Sequence, residues 1–321
     1  MRAPRRQKNT GWVILAWSLN GIGCAALLTI LVLYLTERPA QAAAFTNPQG
    51  TPYPTITPAP TSFYLPTITP NPRSTQYVEY TATPFFLVNG QKSNVIGFST
   101  SGRPIEVYTF GQGEKQLMIV AGINGGYEWN TIALADQLIT YINDHPEAIP
   151  SDVTLYILRD LNPDGDARSH DIDGRVNARG VDLNRNFPVN WAPTWGRSGC
   201  YDSSPTTSGS GPASEPETRI LMRFIASRKI QALISYHSAA LGIFPGGDPW
   251  DENSKRLAQA IANVTTYPYP PINTGCVYTG TLADYAVSQG IAAVDMELTN
   301  HKDTDFEMNL KTLNVLVNFI K

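Results

Sequence analysis

The chain has 321 residues, 16% of them charged, and a formal net charge of −3. This length predicts one or two domains, and the weak negative charge gives no reason to expect nucleic acid or an acidic polymer as a partner. Three cysteines, far apart in sequence, exclude a zinc site built from thiolates.

The N-terminus carries a membrane-targeting pattern. Four basic residues within positions 1–10 precede an uncharged run from Gly11 to Thr36. A helix of roughly 20 apolar residues spans a bilayer, and a basic flank stays on the cytoplasmic side. We therefore predict a signal-anchor at 11–36, with the rest of the chain outside the cytoplasm. A cleaved signal peptide is the alternative, because residues 40–42 (AQA) have the pattern of a cleavage site.

Residues 37–84 are rich in proline and threonine, as in TPYPTITPAPTSFYLPTITPNP. Repeated proline favours an extended conformation without a packed core. This segment predicts a stalk that carries a domain of residues 85–321 away from the membrane. In that oxidising location Cys200 and Cys276 would be able to form a disulfide, and two unpaired thiols are the alternative.

Strand and helix patterns alternate after Phe85. The predicted strands are Pro104–Phe110, Gln116–Ala121, Val153–Leu158, Ile230–Tyr236 and Ile291–Leu298. The predicted helices, each with an apolar face, are Asn130–Asn143, Glu217–Arg228, Ser254–Val264 and Phe306–Ile320. The alternation predicts a single α/β domain with a central mixed, largely parallel twisted sheet covered by helices on both faces. Ligands of such sheets bind beyond the carboxyl ends of the strands.

The segment 175–188, RVNARGVDLNRNFP, contains three arginines within eleven residues. Arginine binds carboxylates through two parallel hydrogen bonds. The alternation of Val181 and Leu183 predicts a half-buried segment with polar side chains on its other face. A surface turn with solvated charges is the alternative interpretation.

Several polar side chains lie at the predicted strand ends. Asn124 and Glu128 follow one strand, His237 ends another, and Glu297 lies inside an apolar strand. A single histidine at a strand end is more often structural. A carboxylate buried in an apolar strand is costly unless a metal or a cation lies beside it, so Glu297 is the more informative residue.

These segments, in this order, resemble the zinc metallocarboxypeptidases of the carboxypeptidase A type over roughly residues 94–321. The matching segments are SGRPIEVYTFG, MIVAGINGGYEW, LNPDG, NARGVDLNRNF, SEPET, SYHS, YTGTLADYAVSQGI and DMEL. The resemblance implies that Glu128 and His237 bind one zinc ion with an open position for water. It also implies that Glu297 is the general base and that Arg175 stabilises the oxyanion of the tetrahedral intermediate.

The same resemblance implies a site for the substrate. Asn184 and Arg185 would hold the free C-terminal carboxylate of a peptide, which makes such an enzyme an exopeptidase. Tyr278 resembles the mobile tyrosine that closes over the substrate. Ala283 falls at the position of the specificity residue, so the resemblance provides no counter-charge there for a basic side chain.

One position departs from the family. Its first zinc ligand is histidine, whereas Asn124 stands here, and an amide oxygen is a weaker zinc donor than imidazole. Three outcomes remain open: Asn124 binds zinc, His170 or His301 replaces the missing ligand, or zinc is lost.

The function expected from the sequence is that of an extracytoplasmic zinc carboxypeptidase acting on peptides, with cell-wall stem peptides as a candidate substrate. A pseudoenzyme that binds peptide C-termini or cell wall is the main alternative, because a pocket lined by arginine recognises a carboxylate without metal. An acyl-amino-acid hydrolase with a similar site is the third.

Overall fold

The structure is a computed structural model that describes residues 85–86, 92–194, 207–239 and 241–321. The predicted anchor at 11–36, the stalk at 37–84 and Cys200 lie outside these residues. Within the described ranges, no helix has the length and apolar character needed to cross a membrane.

The described residues form one mixed sheet with helices packed against it. The strands are β1 (Phe85–Phe86), β2 (Lys92–Phe98), β3 (Pro104–Gly111), β4 (Lys115–Val120), β5 (Val153–Leu158), β6 (Ile230–Ser238), β7 (Ile243–Pro245) and β8 (Ala292–Leu298). The α-helices are α1 (Trp129–Asp144), α2 (Pro163–Asp166), α3 (Pro216–Ala226), α4 (Glu252–Ala262), α5 (Leu282–Ser288) and α6 (Phe306–Asn318). Single turns of 3₁₀ helix cover Gly125–Glu128, Pro146–Ala148, Ile172–Arg175 and Leu183–Arg185.

The strand order is β1-β2-β3-β5-β4-β6-β8-β7. The four central strands, from β5 to β8, pair in parallel, while the described outer pairs are antiparallel. The prediction of a mixed sheet is confirmed, whereas the prediction that it is largely parallel holds only for the three central pairs. Residues 99–103 alone join β2 to β3, and so short a connection permits only antiparallel pairing, because a parallel crossover needs a dozen residues or more.

Alternation along the central strands builds a core on each face of the sheet. In β4, Leu117 and Ile119 pack into one core, while Met118 and Val120 pack into the other. Helices α1, α4 and α6 cover the first face, and α3 and α5 cover the second. Burying side chains of this size stabilises the fold by about 1.5–3 kcal/mol each. The prediction of helices on both faces is confirmed.

The carboxyl ends of β4, β6 and β8 lie side by side, and they position the polar residues of interest. In the register of β6 and β8, His237 lies opposite Glu297. The turn Gly125–Glu128 follows β4 and packs against the turn Ile172–Arg175. Gly126 lies equally close to the segment before that turn, because a Cβ atom there would lie 2.0 Å from the backbone oxygen of Ser169.

Candidate active site

A cavity of about 630 Å³ opens at the carboxyl ends of these strands. Side chains from β6, β8, the turn after β4 and the segment 175–190 line its inner part. All eight residues predicted from the sequence to form the site line this cavity: Asn124, Glu128, Arg175, Asn184, Arg185, His237, Tyr278 and Glu297.

Asn124, Glu128 and His237 converge at the inner end of the cavity. The Asn124 Nδ2 atom lies 2.8 Å from Oε1 of Glu128 and 3.1 Å from Nδ1 of His237. Nδ1 of His237 lies 3.2 Å from Oε2 of Glu128. The three residues are only 1%, 2% and 5% exposed, so solvent does not compete for these contacts.

This arrangement fits a zinc ion held by one carboxylate, one imidazole and one amide oxygen. Ligands about 2.1 Å from zinc lie roughly 3.4 Å apart in a tetrahedron, close to the separations found here. The Asn124 Oδ1 atom is buried and has no hydrogen-bond partner. Rotating the amide by half a turn exchanges this oxygen with Nδ2, since the two groups have the same shape. No group of three or more His, Cys, Asp or Glu side chains in the described ranges could hold a metal ion, so a three-ligand site depends on Asn124.

The two histidines considered as replacement ligands lie elsewhere. His170 is 57% exposed at its side chain, and its Nε2 atom lies 3.0 Å from Asp166. Its ring stacks on Trp129. His301 lies 3.0 Å from the Ser238 hydroxyl. Neither histidine lines the cavity, so the structure gives no support to a replacement ligand.

His237 and Glu128 each stabilise the ionised form of the other. Burial alone would lower the pKa of His237, but the carboxylates of Asp295 and Glu128 raise it to about 10. Burial alone would raise the pKa of Glu128, yet hydrogen bonding to His237 and the charge of Arg175 bring it below its ordinary value. Without metal, the pair is therefore an imidazolium bound to a carboxylate.

Glu297 has the properties of a general base. Burial and the nearby charge of Glu128 raise its pKa to about 7. Its Oε2 atom accepts one long hydrogen bond, 3.4 Å, from the backbone N–H of Leu241. A carboxylate that titrates near neutral pH is well matched to accept and return a proton.

Arg175 is fixed by two buried carboxylates. Its Nη1 donates to Glu128 at 3.2 Å, and its Nε donates to Asp182 at 2.9 Å. Asp182 also accepts the backbone N–H of Asn184 at 3.0 Å, so one carboxylate orients Arg175 and the Asn184–Arg185 turn together. Sequence reasoning did not identify Asp182, although it lies within the arginine-rich segment.

Asn184, Arg185 and Tyr278 occupy the next part of the cavity. The Asn184 side-chain oxygen accepts the backbone N–H of Leu282 at 2.8 Å, which turns its amide nitrogen toward His237 and Asp295. The Arg185 guanidinium lies 5.1 Å from the centre of the Tyr278 ring. The buried guanidinium and amide together offer donors suited to a carboxylate.

Three further carboxylates, of Asp248, Asp284 and Asp295, line the cavity and were not identified as site residues from the sequence. Asp295 precedes Glu297 by two positions in β8, and Asp284 lies in the first turn of α5. Alternate residues of a strand point to the same face, so the segment DMEL did contain the signal for Asp295. Ala283, the expected specificity position, also lines the cavity.

Cys276 lies on the cavity wall next to Val277 and Tyr278. It is disulfide-bonded, and its partner cysteine lies outside the described residues. The prediction that Cys200 is that partner stays a prediction.

Comparison with known sequences identifies relatives of this domain. A sequence profile described as zinc carboxypeptidase matches residues 91–316. The γ-D-glutamyl-L-diamino acid endopeptidase 1 of Lysinibacillus sphaericus is 23% identical over 237 residues, which cover 62% of this chain and 57% of that protein. Murein peptide amidase A of Escherichia coli K12 is 31% identical over 126 residues, 37% of this chain and 48% of the amidase. The matches thus span less than two thirds of either relative.

Solved structures share the fold. The murein-tripeptide amidase of Escherichia coli O157 superposes with a TM-score of 0.52 at 23% identity, covering 71% of this chain and 92% of that one. Bovine thrombin-activatable fibrinolysis inhibitor superposes with a TM-score of 0.56 at 20% identity, covering 71% of this chain and 87% of that one. At these identities the likeness concerns the arrangement of the chain.

Proposed function

Because the chain belongs to the zinc carboxypeptidase family, we propose that it is an extracytoplasmic zinc-dependent carboxypeptidase that removes C-terminal residues from peptides. The observation that carries this proposal is the convergence of Asn124, Glu128 and His237 beside Glu297, with Arg185 in the same cavity. A metal-ligand set, a base and a carboxylate-binding group are the three components that such a reaction needs.

Each residue has a defined task in this reaction. Zinc, when bound, supplies a Lewis acid that polarises the peptide carbonyl and makes water more acidic. Glu297 removes a proton from the attacking water and passes it to the departing amine. Arg175, held by Asp182, stabilises the negative charge that develops on the carbonyl oxygen. Asn184 and Arg185 hold the free carboxylate and thereby restrict cleavage to the last peptide bond.

Cell-wall stem peptides are the candidate substrates. One relative is named for a γ-D-glutamyl-diamino acid bond and another for murein peptides, which supports this substrate class for the present chain. The predicted anchor at 11–36 and the stalk at 37–84 support a location outside the cytoplasm, where such peptides occur. Fold alone does not determine a substrate, so the assignment depends on assays with peptides of defined composition.

A second candidate function is peptide binding without catalysis. Asn124 Nδ2 donates one hydrogen bond to Oε1 of Glu128, and Nδ1 of His237 bonds to Oε2 of the same carboxylate, so Glu128 holds the inner site together without an ion. The residues that recognise a carboxylate do not depend on zinc. The site in this form would bind peptide C-termini on the cell wall and release them unchanged.

Metal analysis combined with a peptide assay separates these functions. The full chain, an Asn124→His variant and a His170→Asn control are purified with zinc in the buffer, dialysed and analysed for bound zinc. Release of C-terminal amino acids is measured on a peptide mixture and on acylated amino acids. We expect about one zinc per chain in all three proteins, tighter zinc binding in Asn124→His, and release of amino acids from peptides.

The outcomes distinguish the candidates. If the natural protein binds no zinc and cleaves nothing, while Asn124→His does both, the natural protein is a binder. If acylated amino acids are cleaved and peptides are not, the third interpretation, an acyl-amino-acid hydrolase, replaces the carboxypeptidase. The His170→Asn control removes an exposed histidine and should change neither measurement.

A further inference from the structure

Asn130 lies behind the candidate site, at the point where three of its segments meet. It is the second residue of α1, is fully buried and does not line the cavity. Its Nδ2 atom donates to the backbone oxygens of Asn300 at 2.7 Å and Asp303 at 2.9 Å. Its Oδ1 atom accepts the Ser238 hydroxyl at 3.0 Å. Both amide hydrogens and the amide oxygen therefore have partners, and these partners come from two other parts of the chain.

On one side, Asn130 connects the segments that carry the two charged zinc-ligand candidates. Glu128 precedes Asn130 by two positions, and the Thr131 hydroxyl donates to the backbone oxygen of Glu128 at 2.8 Å. The turn that carries the carboxylate is therefore fixed to the start of α1. Ser238 directly follows His237 at the end of β6. The bond from Ser238 to Asn130 thus limits how far the carboxylate and the imidazole can separate.

On the other side, Asn130 holds the segment that follows β8. Asn300 comes three positions after Glu297, and the amide of Asn130 binds this segment at two backbone oxygens, those of Asn300 and Asp303. A segment bound at two points by a buried side chain has little freedom to shift. The position of the proposed base relative to the zinc ligands therefore also depends on Asn130.

His301 and Tyr127 reinforce the connection between β6 and the turn. Because both amide hydrogens of Asn130 bond to backbone oxygens, the single hydroxyl proton of Ser238 must point to the Asn130 oxygen. The Ser238 oxygen then accepts from Nδ1 of His301 at 3.0 Å. The His301 ring packs against Tyr127, with 4.6 Å between ring centres, and Tyr127 lies in the same turn as Glu128. The end of β6 and this turn are therefore connected twice.

A second buried asparagine provides a contrast. Asn309 in α6 is also fully buried, and its Oδ1 atom accepts the Tyr236 hydroxyl at 3.0 Å. Its Nδ2 atom donates to the Tyr267 hydroxyl and to the backbone oxygens of Thr304 and Asp305. These partners lie in β6, after α4 and before α6. Asn309 therefore stabilises the core without joining the two segments that carry the ligands.

We propose that Asn130 is a positioning residue of the zinc site, which sets the separation of Glu128 and His237 and thereby the zinc affinity and the rate of the chemical step. The inference rests on the proposed function in that it assumes a zinc-dependent reaction at this site. Groups that orient metal ligands from outside typically contribute about 10- to 100-fold to metal affinity or activity. The substrate carboxylate is held by Asn184 and Arg185, which Asn130 does not contact, so substrate binding should change little.

Two matched pairs of variants test this role in the full chain. Asn130→Ala is compared with Asn309→Ala, and Ser238→Ala with Tyr236→Phe, which removes a hydroxyl from a buried bond of the same length, 3.0 Å. The zinc dissociation constant is measured by competition with a chelator, together with kcat, KM and urea unfolding. We expect Asn130→Ala to raise the zinc dissociation constant and to lower kcat by about tenfold each, with KM within about twofold. Ser238→Ala should act in the same direction, and the two controls should lose stability without either change.

The comparison within each pair decides between positioning and mere stabilisation. If zinc affinity and kcat fall in proportion to the lost stability in all four variants, Asn130 is only structural and the proposal is overturned. The proposal is also overturned if Asn130→Ala leaves both quantities unchanged. Should Asn130→Ala fail to fold, the pair Ser238→Ala and Tyr236→Phe decides in the same way.

A third measurement needs neither zinc nor activity. In the metal-free protein the ring N–H that joins His237 to Glu128 is buried, and it should give a proton NMR signal protected from solvent exchange, identified by its loss in His237→Gln. The signal should persist in the controls and shift or broaden in Asn130→Ala. If it does so while the wild type binds no zinc and cleaves nothing, the positioning role stands and the carboxypeptidase proposal fails. Zinc-dependent cleavage without any difference within the pairs gives the reverse, and a wild type with neither this signal nor zinc overturns both.

Discussion

Replacing Glu297 by glutamine should stabilise the metal-free protein at neutral pH while abolishing its activity. Glutamine has the shape of protonated glutamic acid but never carries the negative charge. In the fold, burial and the charge of Glu128 raise the pKa of Glu297 from 4.5 to about 7. The folded state therefore binds this proton more tightly than the unfolded state does.

The sign and the size of the effect follow from this difference. A group whose pKa is raised on folding contributes its full stability below its unfolded pKa, and that contribution is lost as pH rises through the folded pKa. A rise in pKa from 4.5 to about 7 corresponds to about 3 kcal/mol. Because the carboxylate lines an open cavity, solvent screening reduces this figure to about 2 kcal/mol.

The measurement is urea unfolding of wild type and Glu297→Gln at several pH values from 5 to 8, with a chelator present. The difference in unfolding free energy between the two proteins should grow with pH by about 2 kcal/mol in favour of the variant. Glu114→Gln removes one exposed carboxylate and serves as the control, for which the difference should stay constant. A Glu297→Gln difference that is independent of pH, or that favours the wild type at pH 8, would refute the reasoning.

Three further predictions concern the same region. The kcat/KM for peptide cleavage should fall about tenfold per pH unit on the acid side of the Glu297 pKa, because Glu297 acts as a base only when ionised. Bound zinc would place that pKa below the metal-free value of about 7, because its charge favours the carboxylate. A profile without an acid limb from pH 4.5 to 8.5 would contradict this role. Asp182→Asn removes the negative charge that holds Arg175, and the free energy of unfolding measured in urea should fall by about 3 kcal/mol. The same substitution should reduce kcat by a larger factor than it changes KM. An unaltered kcat would show that Arg175 needs no such support. Gly126→Ala should destabilise the fold by about 2 kcal/mol, because the added methyl group overpacks the site. Gly211→Ala should leave the stability unchanged, because its Cβ meets no atom within 4 Å. Equal effects of the two substitutions on the melting temperature would exclude the steric explanation.

The central strands were predictable because their physical cause is local. Val153–Leu158 is a continuous apolar run and forms a strand with the predicted bounds. Helix α1 was predicted within one residue at each end, because its apolar residues recur at helical spacing. Strand β7 was not predicted, because three residues are too few to show a periodic pattern of apolar side chains. The antiparallel edges of the sheet depend on which strand each segment meets, and no local pattern contains that information.

The candidate site was also predictable in part from local sequence and in part not. The resemblance to the zinc carboxypeptidases predicts that Glu128, His237 and Glu297 share one site, and all three line the cavity. The resemblance placed the uncharged Ala283 at the specificity position, and Ala283 does line the cavity. Asp295 also lines the cavity, as its spacing from Glu297 in β8 indicates. Its contact with His237 depends on the register of β6 and β8, which no local pattern contains.

The Asn124 side chain is compatible with both candidate functions, the one that needs zinc and the one that does not. An amide has a donor on one side and an acceptor on the other, so the same side chain serves a site with metal and a site without it. With Nδ2 inward it bonds Glu128 and contacts His237, and the donors stay assembled. With Oδ1 inward it presents the oxygen that now lacks a partner. Without metal, a histidine at this position would bury either an acceptor nitrogen or a positive charge. The stability of such a site would therefore depend more strongly on bound zinc. The asparagine therefore reduces the penalty for losing zinc as well as the affinity for it. The carboxylate-binding half of the cavity, built on Asp182, Asn184 and Arg185, is the same in both states.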